Sequence, residues 1–112
     1  MKLAWATDIH LDFVDEKVEL DFLDRLAASG ASALLLGGDI SKASRLEHDL
    51  IGVLEYIRMP IYFVLGNHDY YGGSIARVRK SISGIRSPIL QWLPQSGPVE
   101  VAKGVRLVGN GG

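Results

Sequence analysis

Asp8-Ile9-His10, Gly38-Asp39 and Gly66-Asn67-His68-Asp69 are the three places where this sequence gathers side chains able to do chemistry. Carboxylate, imidazole and carboxamide offer oxygen and nitrogen donors that suit hard or borderline divalent cations. Two such cations about 3.5–4 Å apart need an anionic ligand between them. A carboxylate such as Asp39 can bridge both and offset their repulsion. Ions held this way lower the pKa of a bound water, yield a hydroxide nucleophile near neutral pH and polarise phosphoryl oxygens for in-line displacement. A neighbouring imidazole, His68, can hydrogen-bond a phosphate or protonate a leaving oxygen. The glycines before Asp39 and Asn67 let the backbone turn sharply and come close to a ligand.

Each cluster follows a short apolar run, and those runs must do the positioning. Leu3 to Ala6 reads as a buried strand, and residues 8–18 as a polar, acidic loop. Apolar positions at Leu20, Phe22, Leu23, Leu26 and Ala27 have helical spacing over 20–28, with Gly30 where a helix C-cap glycine belongs. Ala33 to Leu36 is a second strand. Leu46, Leu50, Ile51, Leu54 and Ile57 predict a helix over 44–58. Ile61 to Leu65, rich in β-branched and aromatic residues, is a third strand. Residues 74–84 predict a third helix with Ile75, Val78 and Ile82 on one face. Short strands at 89–93, 98–102 and 104–108 follow, set apart by Pro and Gly. Strand, helix, strand, helix, strand implies right-handed crossovers and a parallel-centred sheet flanked by helices. In such sheets ligands bind outside the carboxyl ends of the strands, where all three clusters lie.

The chain has 112 residues, which reads as a single domain over 1–112. A net charge of −1 and the lack of any long basic run give no nucleic-acid or anionic-membrane signature. There is no cysteine, so disulfides and thiolate metal sites are excluded, and a reducing compartment is a natural fit. No apolar stretch reaches the roughly 20 residues of a membrane span, and Asp8 interrupts the first apolar run too early for a signal peptide. The expected location is the cytoplasm.

The ordered series Asp-x-His, Gly-Asp and Gly-Asn-His-Asp, at intervals of about thirty residues, resembles the calcineurin-like metallophosphoesterase family over residues 1–75. The resemblance implies the N-terminal half of an αββα sandwich and hydrolysis of a phosphate monoester or diester through a metal-bound hydroxide. It implies two divalent ions, drawn from Mn, Fe, Zn or Mg. Asp8 and His10 match ligands of the first ion, Asp39 the bridging ligand, Asn67 a ligand of the second, and His68 the imidazole that contacts phosphate and assists the leaving group. The family's motif usually ends in Glu or Asp, here Asp69. It then continues with a further His and a Gly-His-x-His, whereas the histidines here are His10, His48 and His68. The resemblance therefore implies an N-terminal portion of the domain. It also implies weak or no activity alone, and an exposed sheet edge able to form a homo-oligomer. The competing expectation is a non-catalytic metal-binding or interaction fragment, active only when another segment or chain supplies the missing histidines.

Other polar residues have plainer expected roles. His48 is a surface residue, and Asp12, Asp15 and Glu16 form a solvated acidic loop. Ser41 and Lys42 cap the next helix. Asp69 orients His68 or the loop backbone. Tyr70 and Tyr71 line a pocket or cover the core, and Trp5 belongs to the core.

Overall fold

Three amphipathic helices need one apolar surface to cover, and four short parallel strands supply it. A computed structural model describes residues 2–85 and 87–109. Strands β1 (Leu3–Ala6), β2 (Ala33–Leu36), β3 (Ile61–Phe63) and β4 (Leu90–Trp92) form one sheet in sequential order. All three pairings are parallel, with Trp5 opposite Leu35, Leu36 opposite Phe63 and Phe63 opposite Trp92. Helices α1 (Glu16–Ala28), α2 (Leu46–Ile57) and α3 (Ile75–Ser83) make the crossovers. Right-handed crossovers between strands in sequential order put every helix on the same face. The core obeys this: Leu34, Leu36, Ile61, Phe63, Leu90 and Trp92 are buried with Leu23 and Leu26 of α1, Leu50 and Val53 of α2, and Val78 and Ile82 of α3.

The other face carries the alternate residues, and one expectation fails there. Trp5 is 75% exposed rather than part of the core. It lies in register with Leu35, on edge strand β1, with its side chain opposite the helix-covered face that Ala4 and Ala6 occupy. A short apolar run shows that a strand is present, but it does not show which face the helices cover.

Local chemistry sets the helix boundaries. Asp15 caps α1 by accepting the Val18 N–H at 2.9 Å, so the helix begins four residues before the apolar spacing does and the acidic loop is shorter than expected. Gly30, at φ +76, follows its C-terminus in the left-handed conformation that favours glycine. Ser74 caps α3 through Arg77 N–H at 3.1 Å. Ile75 is exposed, and only Val78 and Ile82 of its expected apolar face are buried. Ser41 is not a helix cap. Helix α2 starts at Leu46, and the buried Ser41 hydroxyl instead donates to Asp49 at 2.6 Å, pinning the loop after β2 to that helix.

The tail divides in two. Strand β4 joins the main sheet and runs into a short helix, α4 (Leu93–Ser96). Strands β5 (Val99–Ala102) and β6 (Val105–Leu107) pair antiparallel as a separate ribbon. No helix among the described residues is long and apolar enough to cross a membrane.

Candidate metal centre

The loops that leave β1, β2 and β3 are stitched together by their backbones. Asp8 N–H donates to Gly38 C=O at 3.1 Å, His10 N–H to Asp39 C=O at 3.1 Å and Leu11 N–H to Ile40 C=O at 2.8 Å. The first loop thus runs alongside the second beyond the end of the strand pair. The third loop is held by a carboxylate. Asp69, fully buried, accepts the N–H groups of Ile40 and Ser41 on one oxygen at 2.8 and 2.9 Å, and that of Gly66 on the other at 2.8 Å. Burial pushes this carboxyl above the ordinary aspartate range, against the pull of its three backbone donors. Asp69 therefore orients loop backbone, one of its two expected roles.

This stitching brings together residues 31 positions apart in the chain. Asp8, His10 and Asp39 each offer a ligand-type atom, and these atoms lie within 4.8 Å of one another. The backbone there is costly. Asp8, His10 and Asp39 have φ of +55°, +44° and +51°, and Arg58, which closes α2, is the remaining non-glycine residue at positive φ among those described. An L-residue in the left-handed region is disfavoured by about 1–2 kcal/mol. Three such residues at one edge are retained only where the surroundings over-determine them, a pattern concentrated at ligand clamps.

Asn67 and His68 enter from the third loop. Residues Asn67–Tyr70 form one 3-10 turn, and His68 N–H donates to the Asp39 carboxylate at 2.9 Å. Gly66 lies against Asp39 so closely that a methyl group on it would fall inside that carboxylate. Asn67 is exposed between these two anchored residues.

The acidic loop is not simply solvated. The Asp12 side chain is 3% exposed and accepts from His68 Nε2 at 2.8 Å. Burial alone would raise its carboxyl, but the His68 hydrogen bond, its own backbone N–H and the two nearby imidazoles hold it below the usual aspartate range. The trace of this in the sequence is only that Asp12 stands two residues after His10, since Asp8 and His10 are left-handed and residues 11–13 form a turn. Aromatic rings flank His68. Tyr71 stacks at 5.2 Å between centroids, Phe13 lies at 5.1 Å and His10 meets it edge-on at 4.8 Å. Tyr71 and Phe13 are largely exposed, so of the two adjacent tyrosines Tyr71 borders the site, while Tyr70 packs on the core. His48 is exposed on α2, as expected.

The donor set fits a divalent cation. It is all oxygen and imidazole nitrogen and carries two carboxylates, Asp8 and Asp39. The family model of calcineurin-like phosphoesterases matches residues 1–112. Searches of curated proteins and of solved structures found no match.

Proposed function

Because the chain belongs to the calcineurin-like phosphoesterase family, we propose that it contributes to the hydrolysis of a phosphate monoester or diester at two divalent cations. Asp8, His10 and Asp39 would hold a first cation, and Asp39 and Asn67 would offer donors to a second. The observation that carries this reading is the cluster of Asp8, His10 and Asp39 atoms within 4.8 Å, on three left-handed residues at the carboxyl edge of the sheet. Bound there, divalent cations supply Lewis-acid polarisation of a phosphoryl oxygen and activation of water. The chain's own part is to hold four donors on stitched loops and to place the His68 imidazole beside them, where it can bond a phosphate oxygen and protonate the leaving one. Phe13 and Tyr71 border that imidazole.

Among the described residues we assign the second cation only Asp39 and Asn67 as donors. We therefore take the chain alone to bind one cation well and a second poorly, and to turn over slowly or not at all. Histidines from more of the same domain or from a second copy would complete it. Manganese is our choice of first cation to try, since the donors suit it. The lack of cysteine supports a cytoplasmic setting. The same donor count supports a second reading, a module that binds metal without catalysis.

The test uses a generic aryl phosphodiester with manganese. The 112-residue chain, a longer chain containing a Gly-His-x-His segment, and that longer chain with Asp39→Asn are assayed side by side. The expected order is slow, fast and abolished. Full activity in Asp39→Asn refutes the bridging role, and equal turnover by the short chain as a monomer refutes the incomplete site.

A further inference from the structure

Two buried polar atoms beside the candidate centre lack hydrogen-bond partners, His10 Nδ1 and Asp12 Oδ1. They belong to residues two apart, and His10, Asp12 and His68 each place a ligand-type atom within 4.8 Å of the others. The other Asp12 oxygen, Oδ2, already accepts from His68 Nε2 at 2.8 Å. Leaving a buried polar atom unpaired is costly, and a protonated ring nitrogen and a carboxylate oxygen can satisfy each other. A neutral imidazole donates through one nitrogen and accepts through the other. A carboxylate on one side of a ring therefore decides what the far nitrogen does.

We propose that Asp12 is a positioning residue that serves both imidazoles at once, fixing His10 as the Nδ1–H tautomer and His68 as the Nε2–H tautomer. In this arrangement the His10 Nδ1–H donates to Asp12 Oδ1. His10 then presents the Nε2 lone pair to a cation, in the arrangement where a carboxylate orients a metal-binding histidine through its other ring nitrogen. His68 keeps Nδ1 as a free lone pair, which takes up a proton before it can donate to a phosphate or leaving oxygen. One buried carboxylate thus gives two neighbouring histidines opposite tautomers and separate tasks. His68 cannot drift into the cation's coordination sphere through Nε2 while that nitrogen is bonded to Asp12. The cation-binding half of this inference rests on the proposed function, whereas the tautomers belong to the metal-free chain.

The experiment is a long-range proton–nitrogen NMR spectrum of the metal-free 112-residue chain, recorded well above the ordinary imidazole pKa of about 6.5 so that the rings are neutral. The sequence has three histidines, and exposed His48 serves as the internal reference. The expected spectrum shows His10 protonated on Nδ1 and His68 on Nε2. Asp12→Asn, close in shape and able to accept through one oxygen only, is expected to release one ring and leave His48 unchanged. Asp12→Ala releases both. Zn2+ alone, titrated calorimetrically into the chain, should bind Asp12→Ala, in which His10 has lost its partner, roughly 10–100-fold more weakly, the usual effect of such a loss. The inference is overturned if either ring holds the opposite tautomer in the unmodified chain, if both tautomers survive Asp12→Asn, or if zinc affinity does not change in Asp12→Ala. The expected tautomers with no zinc binding to the unmodified chain would leave the carboxylate's role standing and overturn the metal reading instead.

Discussion

Asp39 is the residue where the constraints on this site converge. Its backbone is left-handed, its carbonyl takes the His10 N–H, and its carboxylate takes the His68 N–H. Gly66 is glycine because the Asp39 carboxylate occupies the space a side chain would need. Substituting Gly66→Ala is therefore expected to displace the Asp39 side chain, since neither the loop backbone nor the buried Asp69 anchor can retreat. Divalent-cation affinity should fall roughly tenfold or more, in the range seen when the support of a ligand is disturbed. Calorimetric titration of the alanine variant with manganese checks this, and unchanged affinity would show that Asp39 has room to move. Asp8, His10 and Asp39 were legible because each stands next to a strand end and a turn. Asp12 was not, since an aspartate in an acidic stretch looks solvated until the packing of His68 over it is known.

At the scale of elements, the site depends on one fastening that composition does not reveal. Asp69 ties the loop after β2 to the loop after β3 through two backbone N–H groups, Ile40 and Ser41, and braces its own loop through a third, Gly66. Removing its carboxylate leaves those donors buried and unpaired, at about 1–3 kcal/mol each. Asp69→Ala is thus expected to destabilise the chain by roughly 3 kcal/mol or more. It should also speed amide exchange at Ile40, Ser41 and Gly66 while leaving α1 protected. Urea unfolding together with residue-resolved exchange tests both, and protection retained at those three amides would mean the loops are held by something else. The existence and order of the helices and strands were legible from periodicity. Their boundaries were not, because Asp15 starts α1 before its apolar stripe does, and Ser41 spends its hydroxyl on Asp49 rather than on a cap.

For the whole molecule, the decisive fact is that the three crossover helices α1, α2 and α3 pack on one side of the sheet. The parallel order was legible, because three successive strand–helix units leave few alternatives. The fate of each strand residue was not. Alternation separates two faces, but a buried parallel strand is apolar on both. The two tryptophans make this testable. Trp5 is 75% exposed on the uncovered face, and Trp92 is 8% exposed beneath the helices, with Arg79 over its ring at 5.6 Å. Iodide is expected to quench the Trp5 part of the fluorescence and to leave a blue-shifted part from Trp92. Trp5→Phe should remove the quenchable part and change stability by less than about 0.5 kcal/mol, as surface substitutions do. Trp92→Ala should cost about 3–5 kcal/mol, the range for emptying an aromatic site in a core. If Trp5 resists iodide in the chain as a monomer, something covers that face and the single helix layer is wrong. If Trp5 becomes protected only as protein concentration rises, the open face is where copies of this chain meet. The concentration dependence of quenching would then report association through that face directly.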